Sequence, residues 1–192
     1  MSKTNYTLAY RRKREGKTNY KKRLTLLKGA KHRLVVRKSL NATSLQIVEY
    51  RPDGDKILAA VSSRDIIKLG WKAGSGNLSG SYLAGLLLGK KAKGIADEAV
   101  LDIGLNVPIR GSRLFASIKG VLDSGMNVPS SKDIFPSDDR IAGKHIAAYA
   151  AELHKKDKDA YAKRFSIYLK NGLSPEKLPE HFEEIKKKIM NM

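Results

Sequence analysis

Gly16-Lys17-Thr18 ends as a phosphate-cradling loop ends, but that pattern needs a glycine five positions before Gly16, where Arg11 stands. Gly74-Ser75-Gly76 opens like a dinucleotide fingerprint, yet the third glycine falls one residue late, at Gly80, and no strand leads into it. His32, His145, His154 and His181 show neither i, i+3 nor i, i+4 pairing, and the chain has no cysteine, which excludes disulfides and thiolate metal sites. Asp102, at the end of an apolar run, is the one carboxylate placed as a metal ligand stands in a nuclease-like α/β fold. Two-metal chemistry needs several convergent carboxylates, and the first apolar run carries Arg33, Arg37 and Lys38 instead. Asp102 is therefore expected to organise a loop, paired with a nearby arginine such as Arg110. The sequence calls for no catalytic residue, no metal site, no cofactor and no small-molecule substrate.

The chemistry these residues do support is polyanion binding. Within the first forty positions Lys3, Arg11, Arg12, Lys13, Arg14, Lys17, Lys21, Lys22, Arg23, Lys28, Lys31, Arg33, Arg37 and Lys38 face a single acid, Glu15, so thirteen of the nineteen net positive charges sit there. Such a segment repels itself unless a polyanion neutralises it, and Tyr6, Tyr10 and Tyr20 offer faces on which bases can stack. Residues 41–135 and 136–192 are milder, each with twelve Lys and Arg against nine acids. One-sided clustering of this kind points to nucleic acid. A membrane is disfavoured because the segment lacks a Leu/Phe/Trp stripe, and the greasiest run, Tyr82 to Leu88, is far below the ~20 residues that span a bilayer. No signal peptide is expected ahead of the basic segment, and the absence of cysteine suits a soluble, cytoplasmic chain.

Elements that could position these charges follow from periodicity. Residues 33–37, 45–50 and 57–61 are β-rich runs, the second and third joined by Pro52-Asp53-Gly54, and predict a three-stranded antiparallel meander. A helix is expected over 78–93, with Leu83, Leu86 and Leu87 on one face and Gly94 at its end. Residues 99–103 read as a buried strand. Ser112 is placed to cap a further helix carrying Leu114, Ile118, Val121 and Leu122. The order βββαβα predicts an α/β fold with a mixed sheet. Beyond Asn127 the pattern is helical, with stripes Ala142-Ile146-Tyr149-Leu153, Tyr161-Phe165-Tyr168-Leu169 and Phe182-Ile185-Ile189, and caps at Asp139 and Asp157. The stripes read as packing surface rather than base-stacking platforms. Three units are expected: a basic extended arm with its lead-in (1–31), an α/β core (32–128) and a helical C-terminal extension (129–192), without which the core should still fold.

The segment Ala9-Tyr10-Arg11-Arg12-Lys13-Arg14-Glu15-Gly16-Lys17-Thr18-Asn19-Tyr20, followed by Arg33-Leu34-Val35-Val36-Arg37-Lys38-Ser39, resembles the archaeal and eukaryotic branch of ribosomal large-subunit protein eighteen, called large-subunit protein five in eukaryotes. Ala84 to Gly94, Leu101-Asp102-Ile103-Gly104 and Arg110-Gly111-Ser112-Arg113 are similar to that family's helix, strand and loop. The resemblance implies a structural constituent of the large ribosomal subunit. It would bind 5S rRNA, dock it at the central protuberance, touch the large-subunit rRNA, and neighbour other large-subunit proteins. It also implies a ribonuclease-H-like topology without the catalytic carboxylates. One departure is visible: the bacterial loop reads Asp-Arg-Gly-Gly, whereas Asp102 is followed here by Ile103-Gly104-Leu105-Asn106.

Roles then follow from chemistry. Arg11, Arg12, Lys13, Arg14, Lys17, Lys21, Lys22 and Arg23 are expected to neutralise phosphates from an arm that orders on binding, with Tyr20 stacking on an exposed base. Arg33, Arg37, Lys38 and Ser39 would clamp backbone oxygens from the first strand. Arg110 and Arg113 flank a glycine at a helix N-terminus, where free N–H groups also favour phosphate. The alternative is a non-ribosomal, DNA-compacting protein, which needs only basic charge; a folded core with charge at one end disfavours it.

Overall fold

A computed structural model describes residues 7–192, so Lys3 and Tyr6 of the basic segment lie outside the described residues. Two short helices, α1 (Arg11–Arg14) and α2 (Tyr20–Leu27), precede the sheet. Residues 11–27 are thus helical in two pieces rather than extended throughout. Gly29-Ala30 then turns the chain into the sheet, Ala30 adopting φ +49°.

Strands β1 (Arg33–Lys38), β2 (Thr43–Glu49) and β3 (Lys56–Ser62) form the antiparallel meander, with Leu34 opposite Ile47 and Leu45 opposite Val61. After α3 (Leu78–Ala92), strand β4 (Val100–Asp102) returns beside β1 in parallel, giving the order β3-β2-β1-β4. Period-2 alternation divides the sheet. Leu34, Val36, Leu45, Ile47 and Val61 are buried with α3 and α4 (Arg113–Asp123), while Arg33, Val35 and Arg37 alternate with them on the outer face.

Helix α3 is buried on nearly every side from Ser79 to Gly89, consistent with a sequence that offers no charge before Lys90. Its first turn is fixed by Asn77, whose Oδ1 accepts from the Gly80 N–H at 2.7 Å. It meets α4 at van der Waals closeness: a β-carbon at Gly85 would lie 1.9 Å from the Ser117 carbonyl oxygen, and one at Gly120 2.1 Å from that of Tyr82. Backbone cannot yield as a flexible side chain does, so Gly85→Ala is expected to cost about 3 kcal/mol of stability. Urea unfolding checks this, and an unchanged midpoint would mean that the two helices part freely.

The C-terminal third contains α5 (Asp138–Ala142), α6 (Lys144–Lys156), α7 (Lys158–Arg164), α8 (Ser166–Lys170) and α9 (Leu178–Met190). The three expected stripes are thus divided among five helices. Gly143, at φ +82°, separates α5 from α6, and a β-carbon there would lie 2.6 Å from the Leu178 side chain, so only glycine lets the break sit against α9. Asp139 falls inside α5, whose cap position is Ser137, whereas Asp157 does cap α7, accepting from the N–H groups of Asp159 at 2.9 Å and Ala160 at 3.0 Å. Leu178, Phe182, Ile185 and Ile189 join the same apolar cluster as the sheet and α3, while Ala150, Tyr161 and Phe165 form a small second one. The extension therefore completes the main core instead of standing apart from it.

Candidate nucleic-acid interface

The outer face of the sheet is organised by charge. Asp102 lies beside Val35 in the parallel register, which places it between Arg33 and Arg37 of β1. Arg33 donates from Nη1 to Asp102 Oδ2 at 3.2 Å and from Nη2 to Asp55 Oδ2 at 2.6 Å. Arg37 donates to Asp102 Oδ1 at 3.0 Å and to the Asp102 carbonyl at 2.6 Å, and Gly104 N–H donates to Asp102 Oδ1 at 2.8 Å. Gly104 takes φ +62°, and a β-carbon on it would sit 2.8 Å from the Arg37 guanidinium carbon. Asp102 is thus a loop-organising acid, but its partners are Arg33 and Arg37 of the adjacent strand rather than Arg110. The Arg33 side chain is only 2% exposed, so removing either carboxylate would leave a desolvated charge short of partners.

Above this face lies α2. Asn19 starts it by accepting the Lys22 N–H at 3.0 Å, which satisfies one of the free donors of the first turn. Two side chains fasten the helix at opposite edges of the sheet. Arg23 grips both oxygens of Asp55 at 2.9 Å just ahead of β3, and Lys22 Nζ donates to the Gly104 carbonyl at 3.2 Å just beyond β4. Between helix and strands a cleft of about 780 Å³ remains, with Leu26, Val35, Val48 and Ile57 among its apolar walls and Arg12, Lys17, Lys22 and Arg37 among its cations.

Burial alone would raise the Asp55 carboxyl, but hydrogen bonds and charge from Arg33 and Arg23 outweigh it and hold the group below its ordinary value. Because the folded pKa is the lower one, this contribution is complete above the unfolded value of about 3.9 and disappears as pH falls through the folded value. On acidification below about pH 4, amide hydrogen exchange in residues 20–27 should therefore rise before exchange in β1. Simultaneous loss of protection would mean that Asp55 does not hold α2 in place.

With this geometry in view, the family model for ribosomal large-subunit proteins 60S L5 and 50S L18 matches residues 4–97. Over those residues the chain carries that family's sequence. The matched stretch carries α1, α2, the three-stranded meander and α3. The matched family is one of large-subunit ribosomal proteins, structural rather than enzymatic, whose surroundings are rRNA and other ribosomal proteins. Among the described residues no helix is long and apolar enough to cross a membrane, and no group of three or more His, Cys, Asp or Glu stands close enough to hold a metal ion.

The sequence-derived cations have separate positions. Arg12, Lys13, Arg14, Lys21 and Lys22 have no carboxylate within ion-pair distance among the described residues; Arg12 donates only to the Thr18 hydroxyl, at 2.9 Å. Arg11 and Lys17 share Glu15, at 3.2 and 2.8 Å. Tyr20 is half-buried against Tyr10, ring centroids 5.1 Å apart, and lines the cleft. Arg33 and Arg23 are engaged internally, so neither faces outward as a free phosphate clamp. Lys38 is exposed, and Ser39 Oγ donates to the Ala42 carbonyl at 3.1 Å. Arg113 ties the backbone together, donating to the carbonyls of Ser39, of Leu40 at 3.2 Å and of Gly76 at 2.9 Å, while Arg110 is exposed. Ser112 has the extended backbone of a cap, yet its hydroxyl makes no cap bond. Asp55, Gln46 and Asn106 also line the cleft. No spacing in the sequence announces them, because each reaches the site through a strand or loop remote from the basic segment.

Proposed function

We propose that this protein binds 5S rRNA and helps fasten it to the large-subunit rRNA at the central protuberance. The observation that carries this reading is the array formed by Arg12, Lys13, Arg14, Lys21 and Lys22, without a carboxylate partner among the described residues and mounted on helices, with α2 braced to both edges of a sheet. Held cations keep the spacing of phosphates on a folded RNA, which a disordered polycation does not. A-form RNA gives side chains little access to its deep groove, so shape, phosphates and 2′-hydroxyls carry recognition. In this reading residues 1–31 supply the main RNA contacts, residues 32–128 the scaffold, and residues 129–192 a helical extension that meets neighbouring ribosomal components. Arg37, Lys38 and Arg110 add contacts from the scaffold. The strand order, with β4 alone parallel to β1, supports regarding the scaffold as a ribonuclease-H-like sheet in which Asp102 serves β1 instead of catalysis.

At physiological salt the protein is expected to bind folded 5S rRNA more tightly than mixed RNA of equal length or duplex DNA, as measured by competition filter binding. Equal affinity for all three would reduce it to a general polycation.

A further inference from the structure

The cleft beneath α2 is more than a gap between a helix and a sheet. At about 780 Å³ it lies within the ~300–1,000 Å³ of ordinary small-ligand sites, and its lining combines three kinds of group. Val48 and Ile57 give it apolar surface, Tyr20 an aromatic face, and Arg12 and Lys22 positive charge with no carboxylate partner among the described residues. Gln46, half-buried in the sheet, makes no side-chain hydrogen bond among the described residues, so its amide keeps both donor and acceptor available. Arg33, which also lines the cleft, leaves its buried Nε without a partner, although both of its terminal nitrogens are paired. A phosphate alone would use the cations and leave the apolar wall, the ring and the amide idle. A duplex is too wide to enter. A nucleobase with its attached phosphate uses all of them: the base against Tyr20 and Ile57, its edge on Gln46, its phosphate toward Arg12 and Lys22.

We infer that this cleft receives one unstacked nucleotide of the bound RNA. The inference rests on the RNA-binding reading above and adds to it a place where one base is read. An amide pairs with a base edge through a donor and an acceptor at once, which makes Gln46 the residue that discriminates among bases.

The test uses the full chain and 5S rRNA substituted with 4-thiouridine. Photocrosslinks located by tandem mass spectrometry should fall on Gln46, Val48 or Ile57 as well as on α1 and α2. Gln46→Leu should weaken 5S rRNA binding about tenfold without changing the salt slope, because no phosphate contact is lost. Ile57→Trp, which fills the cleft from an exposed position, should do the same should the first variant lose its circular dichroism spectrum. Crosslinks confined to the helices, together with full affinity in both variants, would overturn the inference while leaving RNA binding intact; failure of the unaltered chain to bind 5S rRNA would overturn the reading beneath it. Free AMP and UMP are the remaining arm. Either one saturating the cleft and resisting displacement by 5S rRNA would assign the site to a free nucleotide and refute its use by RNA.

Discussion

Removing residues 3–23 is expected to flatten the plot of log affinity for 5S rRNA against log salt by about four units. Each neutralised phosphate releases condensed counterions worth roughly 0.7 to 0.9 of a unit in that slope. The five cations without carboxylate partners among the described residues, Arg12, Lys13, Arg14, Lys21 and Lys22, account for this value, whereas Arg23 on Asp55 and the pair that shares Glu15 are already compensated. A second form of the experiment keeps both helices in the chain. Replacing those five with glutamine removes the Lys22 contact to Gly104 but leaves the Arg23–Asp55 brace, and should change the slope by a similar amount. An unchanged slope in a folded quintuple variant would transfer the phosphate contacts to the exposed Lys38 and Arg110, and the basic segment would then be an ornament of the surface.

Truncation after Val128 is expected to unfold the protein, contrary to the separable extension that the sequence suggests. The loss includes Leu178, Phe182, Ile185 and Ile189, each buried in the cluster that α3 and the sheet share. At about 1.5 to 3 kcal/mol for each buried side chain, the four together contribute about 6 to 12 kcal/mol, comparable with the ~5 to 15 kcal/mol by which a whole domain is stable. Trp71 would also be uncovered, since His181 of α9 stacks on it with ring centroids 5.2 Å apart and accepts the Lys72 N–H at 3.1 Å. Circular dichroism and thermal melting of the 1–128 fragment check this. A cooperative melt near that of the full chain would restore the extension to an accessory role. The milder variant Phe182→Ala should lower stability by about 3 to 5 kcal/mol in the full chain.

Local order was legible where side chains repeat with a period. β1 to β3 alternate around Pro52-Asp53-Gly54, and α3 and α4 carry their leucines and isoleucines at helical spacing, so each lies close to where its pattern places it. The basic segment has no such stripe: Lys and Arg form helices readily but bury nothing, and α1 and α2 stay hidden among charges. Gly143 lies between two apolar positions of one apparent helix, and its effect depends on Leu178, thirty-five residues away. The network at the site is equally non-local. Asp102 stands sixty-nine positions from Arg33, and Asp55 thirty-two from Arg23, separations at which only the sheet decides the neighbour. That is why the arginines expected to face RNA include Arg23, Arg33 and Arg113, which hold the scaffold.

The union of α9 with α3 also sets an order in time. Synthesis proceeds from the N-terminus at roughly 5 to 20 residues per second, so the side chains of residues 178–190 arrive several seconds after those of residues 78–92 whose flank they cover. Throughout that interval the nascent chain displays two hazards together: a free polycation, ready to seize any passing nucleic acid, and an uncovered greasy flank, ready to aggregate. A chain built this way benefits from an escort that shields both features during translation and releases them once α9 has closed.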